Sequence, residues 1–112
     1  MTLPSIPDES RWASMPLAVQ MANLGSEVGR TSKWLAKGKE NMAFSAFIRA
    51  LDLFDLTIKY GRKGTDGEAE LLKELCRGRD LFTESFMDKD METLEWLDRY
   101  FLCFSKAVRY SR

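Results

Sequence analysis

The side chains of this chain that are able to do chemistry are acidic, basic and polar, because the sequence contains no histidine. Without imidazole, the commonest acid–base group and the histidines of helical di-iron sites are both missing. Glu92, Glu95 and Asp98 follow one another at intervals of three residues, a spacing that would suit magnesium ligands on a helix. Helical periodicity turns Glu92 and Glu95 away from the apolar stripe of their own helix, so the acids do not share an inward-facing site. We therefore predict no catalytic residue, no metal and no cofactor, and assign these acids to the positive end of the helix dipole.

Phosphate binding is suggested by GRKGTDG, over 61–67, which combines glycines and basic residues before a predicted helix. The segment lacks the spacing of a phosphate-binding loop and follows no strand, so we predict a flexible connection. The whole chain has 17 basic and 17 acidic side chains, which leaves no net positive field to attract nucleic acid. Nucleic acid is therefore a less favoured partner than protein.

Arg79 is exceptional because it interrupts an apolar stripe of leucine and phenylalanine on its helix. A guanidinium in such a stripe needs a carboxylate or solvent. In an antiparallel hairpin Asp52 is the nearest partner by level, with Asp55 further along and Glu27 available from another helix. Two interpretations stay open: a structural ion pair, and a site that binds a ligand or takes part in function.

A candidate partner interface lies on the first long predicted helix, where four residues follow one face. They are Asn23, Glu27, Arg30 and Trp34. Exposed tryptophan beside arginine is typical of protein interfaces. The alternative is that Trp34 folds against the neighbouring turn or the N-terminal arm, and the residue pattern does not decide between the two.

Length and composition indicate one domain, since 112 residues of which 45% are apolar suffice for a single core. Pro4 and Pro7 predict an extended N-terminal arm over 1–13, followed by a helical-bundle domain over 14–112. The N-terminal residues lack the pattern of a secretory signal, and no stretch is apolar enough to span a membrane. We therefore expect a cytoplasmic protein that does not associate with membranes.

Apolar periodicity, broken by glycine and proline, predicts four helices, over 14–37, 41–60, 68–86 and 91–110. The second is apolar around most of its circumference, which marks it as the central helix. The first has a stripe of small residues, including Gly25 and Gly29, that lets another helix approach closely. Cys76 and Cys103 lie in apolar patterns and are predicted to be buried thiols. Short turns between the helices predict an all-α, up-down-up-down four-helix bundle.

Three stretches of this pattern are distinctive: LAVQMANLGSEVGRTSKW over 17–34, RALDLFDLTI over 49–58, and LDRYFLCFSKAVR over 97–109. Together they resemble a family of small prokaryotic four-helix proteins of uncharacterised function. The architecture more loosely resembles HEPN-type bundles and the related substrate-binding subunits that accompany small nucleotidyltransferases. HEPN ribonucleases have an arginine followed several residues later by histidine, and the lack of histidine removes that motif here.

The residue pattern and the resemblance predict a non-enzymatic cytoplasmic bundle that self-associates or serves a protein partner through the face of Asn23 and Trp34. The resemblance suggests a minimal nucleotidyltransferase as that partner. A homo-oligomer, most simply a dimer, is expected because four helices leave part of the apolar second helix and the aromatic fourth helix uncovered. The alternative is a degenerate HEPN-like protein that binds RNA or a nucleotide, or acts on it, through Arg79 with Asp52 or Asp55.

Overall fold

All regular structure in the described part of the chain is α-helical, which confirms the all-α part of the predicted fold class. The computed structural model of the protein describes residues 8–60 and 66–110, with side chains described over 8–60 and 70–106. Its helices are α1 (Glu9–Ser14), α2 (Leu17–Ala36), α3 (Glu40–Tyr60), α4 (Asp66–Asp88) and α5 (Met91–Tyr110). The prediction of four helices is therefore corrected to five over these ranges. None of the described helices has the length and apolar character needed to cross a membrane.

Helix α1 corrects the predicted arm, because residues 9–13 are helical and not extended. Residues 1–7 lie outside the described residues. Met15 has an extended backbone, with φ −76° and ψ 143°, since the following Pro16 disfavours helical geometry at the residue before it. Helix α2 consequently begins after Pro16, and the predicted start at Ser14 is wrong.

Trp12 is fully buried and connects α1 to α2 and α3. Its indole Nε1–H donates to the Thr57 hydroxyl on α3 over 3.3 Å, and its carbonyl accepts from Gln20 Nε2 on α2 over 2.7 Å. The Tyr60 hydroxyl donates to the Glu9 carboxylate over 2.6 Å, and this hydrogen bond is the main cause of a lowered pKa at Glu9. The short helix therefore closes one end of α3 through both apolar burial and polar contacts.

Gly38 reverses the chain between α2 and α3, in the short turn predicted between the helices over 14–37 and 41–60. Its φ of +73° is left-handed, a conformation that glycine adopts without a Cβ clash. The Lys39 N–H donates to the Trp34 carbonyl over 2.9 Å, and the Gly38 N–H donates to the Leu35 carbonyl over 3.0 Å. These bonds form a Schellman motif, which satisfies the last carbonyls of α2 and returns the chain as α3.

The core centres on Phe54 of α3. Its ring centroid is 5.7 Å from that of Phe82 on α4 and 5.8 Å from that of Phe101 on α5. All three rings are almost completely buried, so α3 is central to the aromatic core as predicted. The same helix is not covered everywhere, because Met42 and Phe44 near its start are 48% and 52% exposed.

Helices α2 and α5 approach each other closely at Gly25 and Gly29. A Cβ placed on Gly25 would lie 2.6 Å from the Phe101 Cβ, and one placed on Gly29 would lie 2.7 Å from Asp98 Oδ1. The predicted use of small residues for close packing is confirmed at both positions. Helix α4 packs less extensively on α3 and α5 than α2 packs on its two neighbours.

Cys76 and Cys103 are exposed free thiols, which corrects the prediction that both are buried. Both follow apolar residues in the sequence, but the rotation of α4 and α5 about their own axes places these positions outward. The apolar arc of each helix is wider than the surface that its neighbours cover, and the residues at the edge of that arc meet solvent.

Candidate interaction surface

The predicted recognition face on α2 is divided between two environments. Asn23 is exposed, and its amide donates to a backbone carbonyl of its own helix over 2.9 Å. Arg30 is exposed, and Trp34 is half-buried with Lys37 Nζ 5.3 Å from its ring centroid. Glu27, in contrast, is buried. The residues of this face therefore do not form one continuous exposed surface.

The buried Glu27 carboxylate forms an ion-pair cluster with the exposed Arg30 and the partly buried Arg49. Arg30 contacts it through Nη1, and Arg49 of α3 reaches it through Nε over 3.1 Å. The Arg49 N–H is not aligned with the carboxylate oxygen, so that contact is an ion pair without a well-formed hydrogen bond. Removing the arginines would leave the Glu27 charge buried without compensation. The contact between Arg49 and Glu27 also joins α3 to α2. Glu27 and Arg49 are equally distant from Gly38 in sequence, and that register could have revealed the pair.

Arg79 forms a two-point pair with Asp55 and not with Asp52, its nearest predicted partner. Its Nε is 2.8 Å from Asp55 Oδ1, and its Nη2 is 3.3 Å from Asp55 Oδ2. The Phe47 and Phe86 rings stack at 4.1 Å, and at the same register of α3 and α4 Arg79 lies across from Asp55. The Arg79 and Asp55 side chains are 32% and 59% exposed, so solvent screens the pair.

The acidic residues of α5 do not converge on one point. Glu92 and Glu95 are exposed, whereas Asp98 packs against Gly29 of α2. Among the residues whose side chains are described, no three potential metal ligands form a cluster. Residues 61–65 of the glycine-rich connection lie outside the described residues.

The space between α4 and α5 is a groove with an apolar wall, which we call the aromatic groove. It has a volume of about 200 Å³ and is lined by residues that include Gly78, Leu81, Trp96 and Tyr100. The Trp96 ring stacks on Tyr100 at a centroid distance of 5.8 Å, yet it remains 51% exposed. The Tyr100 hydroxyl donates to Glu74 over 3.2 Å, and burial, followed by the nearby Glu74 charge, raises the pKa of Tyr100.

A second, shallower hollow adjoins the aromatic groove, and we call it the outer hollow. It has a volume of about 380 Å³, and Leu81 and Trp96 line it together with Glu92 and Arg99. Leu81 and Trp96 therefore form a ridge between two depressions, with charged side chains around it. An exposed aromatic residue in an apolar recess with a charged rim has the composition of a protein-binding surface.

The other side of α5 has a groove of different chemistry. About 270 Å³ of space lies over Gly25 and Gly29, and its rim includes Arg30, Lys33 and Asp98. Basic and acidic side chains are mixed there, and glycines form the floor in place of an aromatic anchor. This groove has polar groups for water or small solutes, and Leu102 is the one large apolar side chain among its described lining residues, with none of the aromatic anchors that dominate protein interfaces.

Trp96 and Leu81 were not among the site residues predicted from the sequence. The available signal was the width of the apolar arc on the last helix, where Trp96, Tyr100 and Cys103 extend the core stripe. An arc wider than two neighbouring helices can cover must leave part of itself in solvent. The groove itself depends on how far apart α4 and α5 lie, which periodicity does not specify.

Comparison of this chain with protein-family models, with curated proteins and with solved structures finds no match.

Proposed function

We propose that this chain is a non-enzymatic cytoplasmic protein that acts by binding protein, either a second copy of itself or a partner. The observation that supports this most directly is Trp96, half-exposed on the ridge that it forms with Leu81. Leaving so much indole in water is unfavourable, and a protein surface that covered it would recover that free energy.

We propose that α2, α3, α4 and α5 form an up-down-up-down bundle that supports this surface. Helix α1 packs against one end of α3. Two cross-helix pairs support antiparallel packing of α3 and α4, because Glu40 at the start of α3 meets Lys89 just after the end of α4, whereas the later Asp55 meets the earlier Arg79. Single pairs join the other neighbours, Glu27 with Arg49 between α2 and α3 and Glu74 with Tyr100 between α4 and α5. A bundle of this kind holds α4 and α5 side by side and presents their outer surface as one face.

A minimal nucleotidyltransferase is the partner class proposed from the sequence resemblance. The aromatic groove supports a protein partner in general, since its wall is apolar and its rim has both Glu74 and Arg77. The face of Asn23, Arg30 and Trp34 remains a second candidate surface for the same purpose. Binding at either surface requires no catalytic group, in keeping with the absence of histidine from the sequence.

The competing proposal, an RNA- or nucleotide-binding protein that uses Arg79, is less well supported. The Arg79 guanidinium already has two contacts with Asp55, and an incoming phosphate would have to displace that carboxylate. Filter binding to single-stranded RNA at rising salt tests it directly. A steep salt dependence that Arg79→Met abolishes would establish the nucleic-acid function over the protein-binding one.

Sedimentation velocity over a wide range of protein concentration tests the proposed function. Wild type is expected to associate, and Trp96→Ser is expected to weaken that association. Phe44→Ser is the matched control, because Phe44 and Trp96 are 52% and 51% exposed on different surfaces. If wild type sediments as a monomer throughout and binds no co-expressed nucleotidyltransferase, the proposed function is wrong.

A further inference from the structure

The charged residues around Leu81 and Trp96 are arranged symmetrically about that ridge. On α4, Arg77 and Glu84 lie on either side of Leu81, and both are exposed. On α5, Glu92 and Arg99 lie on either side of Trp96 and are likewise exposed. In each helix the two opposite charges are seven residues apart, which corresponds to about 10 Å along the axis.

The antiparallel direction of α4 and α5 puts like charges at the same end of this face. Leu81 and Trp96 line both hollows, so they lie at the same level. Glu84 follows Leu81 while Glu92 precedes Trp96, so both carboxylates lie toward the turn that joins the helices. Arg77 and Arg99 lie on the opposite side of the ridge. The face thus has an acidic row, an apolar row and a basic row in that order.

We propose that a second copy of this chain docks on the α4–α5 face about a two-fold axis through the ridge of Leu81 and Trp96. A two-fold rotation exchanges the acidic and basic rows and leaves the apolar row in place, so the face is complementary to itself. Glu92 then meets Arg99 of the partner subunit, and Glu84 meets Arg77 of the partner subunit. Trp96 packs on Trp96 of the partner subunit, and Leu81 packs on Leu81 of the partner subunit. This inference rests on the proposed function, because it presumes that the chain self-associates.

These four charged groups are available for such contacts. None of Arg77, Glu84, Glu92 and Arg99 takes part in an ion pair among the residues with described side chains. Other charges on the same helices are engaged, since Glu74 accepts from Tyr100 and Lys73 pairs with a neighbouring acid. Exposed ion pairs add little affinity, so the rows set the orientation while burial of the ridge supplies most of the attraction.

A second copy fits this face better than a partner of one charge sign. A polyanion such as RNA would approach Arg77 and Arg99 favourably but would be repelled by Glu84 and Glu92. A strongly basic partner would be attracted by Glu84 and Glu92 but repelled by Arg77 and Arg99. The two helices present a face about 30 Å long and about 20 Å wide, which is comparable with the patch that each partner contributes to a standard interface.

The experiment is a charge exchange between two variants. Arg77→Glu with Arg99→Glu makes the whole face acidic, and Glu84→Arg with Glu92→Arg makes it basic. We expect each double variant alone to be monomeric at concentrations where wild type is dimeric. An equimolar mixture is expected to restore a dimer that contains one chain of each kind, resolved by mass in native mass spectrometry. Circular dichroism of each variant checks that these exposed substitutions leave the helices intact.

Several results would overturn the inference. If both double variants dimerise as wild type does, the copies meet on another face, and self-association stands without this geometry. If each is monomeric but the mixture forms no heterodimer, the pairing of rows is wrong. A wild type that stays monomeric at every concentration removes the self-association part of the proposed function as well.

Two further acidic residues at the edges of this face are expected to weaken the dimer. Asp80 and Glu95 are exposed beside Leu81 and Trp96, and helical periodicity directs them toward the outer edges of the face. The two-fold axis would bring Glu95 near Glu95 of the partner subunit and Asp80 near Asp80 of the partner subunit, where water screens the repulsion. Asp80→Asn with Glu95→Gln is therefore expected to tighten dimerisation several-fold at low salt, with a smaller gain at high salt. A weakened dimer in this variant would contradict the proposed orientation.

Discussion

Helix α5 packs on α2 at one side and on α4 at the other, and the two contacts differ in kind. Toward α2, Gly25 brings the backbones so close that a single added Cβ would lie 2.6 Å from the Phe101 Cβ. Toward α4, Leu81, Trp96 and Tyr100 line a groove of about 200 Å³. The difference shows that small residues close a helix–helix seam, whereas large ones at its edge hold the helices apart and leave a recess for a partner.

Phe101→Ala is expected to have the largest effect, because Phe101 contacts Gly25 on one side and lines the aromatic groove on the other. It is 1% exposed, and truncation of a buried phenylalanine costs about 3–5 kcal/mol. Urea denaturation measures the loss. The adjacent Leu102, which is 48% exposed, gives the control, and Leu102→Ala should change stability by no more than about 0.5 kcal/mol. Equal losses in the two variants would mean that α5 does not turn Phe101 into the core and Leu102 toward solvent.

Gly25→Ala tests the closed side of α5. The added methyl meets the Phe101 Cβ, which moves only with its backbone, and strain from such overpacking is about 1–3 kcal/mol. Alanine favours a helix over glycine by about 1 kcal/mol, so the expected net destabilisation is up to about 2 kcal/mol. Thermal unfolding followed by circular dichroism measures it. A variant as stable as wild type would show that α2 and α5 are not in close contact.

Gly78→Ala is the matched substitution on the open side. The nearest atom to an added Cβ is Phe54 Cε1 at 3.9 Å, an ordinary van der Waals contact. Helix propensity then acts without strain, and we expect a stabilisation of about 0.5–1 kcal/mol in the same thermal experiment. Opposite signs for Gly25→Ala and Gly78→Ala would confirm the contrast between the two sides. A destabilised Gly78→Ala would mean that α4 lies closer to its neighbours.

The smallest expected effect concerns Tyr100 in the wall of the aromatic groove. Its pKa is raised by burial, then by the Glu74 charge, so folding favours the protonated phenol. The stability linked to this group is fully present below its unfolded pKa of about 10 and is lost as pH rises through the higher folded value. Tyr100→Phe should therefore lose less stability than wild type when the urea midpoint is compared below and above about pH 10. Identical pH dependence in the two proteins would argue against partial burial of the Tyr100 phenol.

Local features of this fold were predictable because their causes are local. Gly38 ends α2 since glycine accepts a left-handed backbone at no steric cost. Gly25 and Gly29 marked the close seam because a helical repeat of small residues leaves room for a neighbour. The short helix α1 was missed, since its apolar contribution to the core is one residue, Trp12, and a single residue shows no periodicity.

The register between helices was harder to predict, as Arg79 illustrates. Asp52 and Asp55 are both exposed on α3, so either could pair with Arg79. Arg79 pairs with Asp55 at the register at which the Phe47 and Phe86 rings stack. The connection over 61–65 separates the two helices in sequence, and turn length alone does not specify the register across it. The exposed ridge of Leu81 and Trp96 was missed for a related reason, because it depends on the spacing between α4 and α5.

The three tryptophans separate what the sequence determined from what tertiary structure decided. Apolar periodicity and capping residues, which act within one helix, determined where the long helices run and which broad arc of each faces the core. Trp12 is fully buried, Trp34 is half-buried and Trp96 is 51% exposed, although each occurs in a segment that mixes apolar and charged residues. Their burial depends on helix rotation, register and spacing, which are set by contacts between residues far apart in the chain. Those contacts place Trp96 where a second copy can reach it.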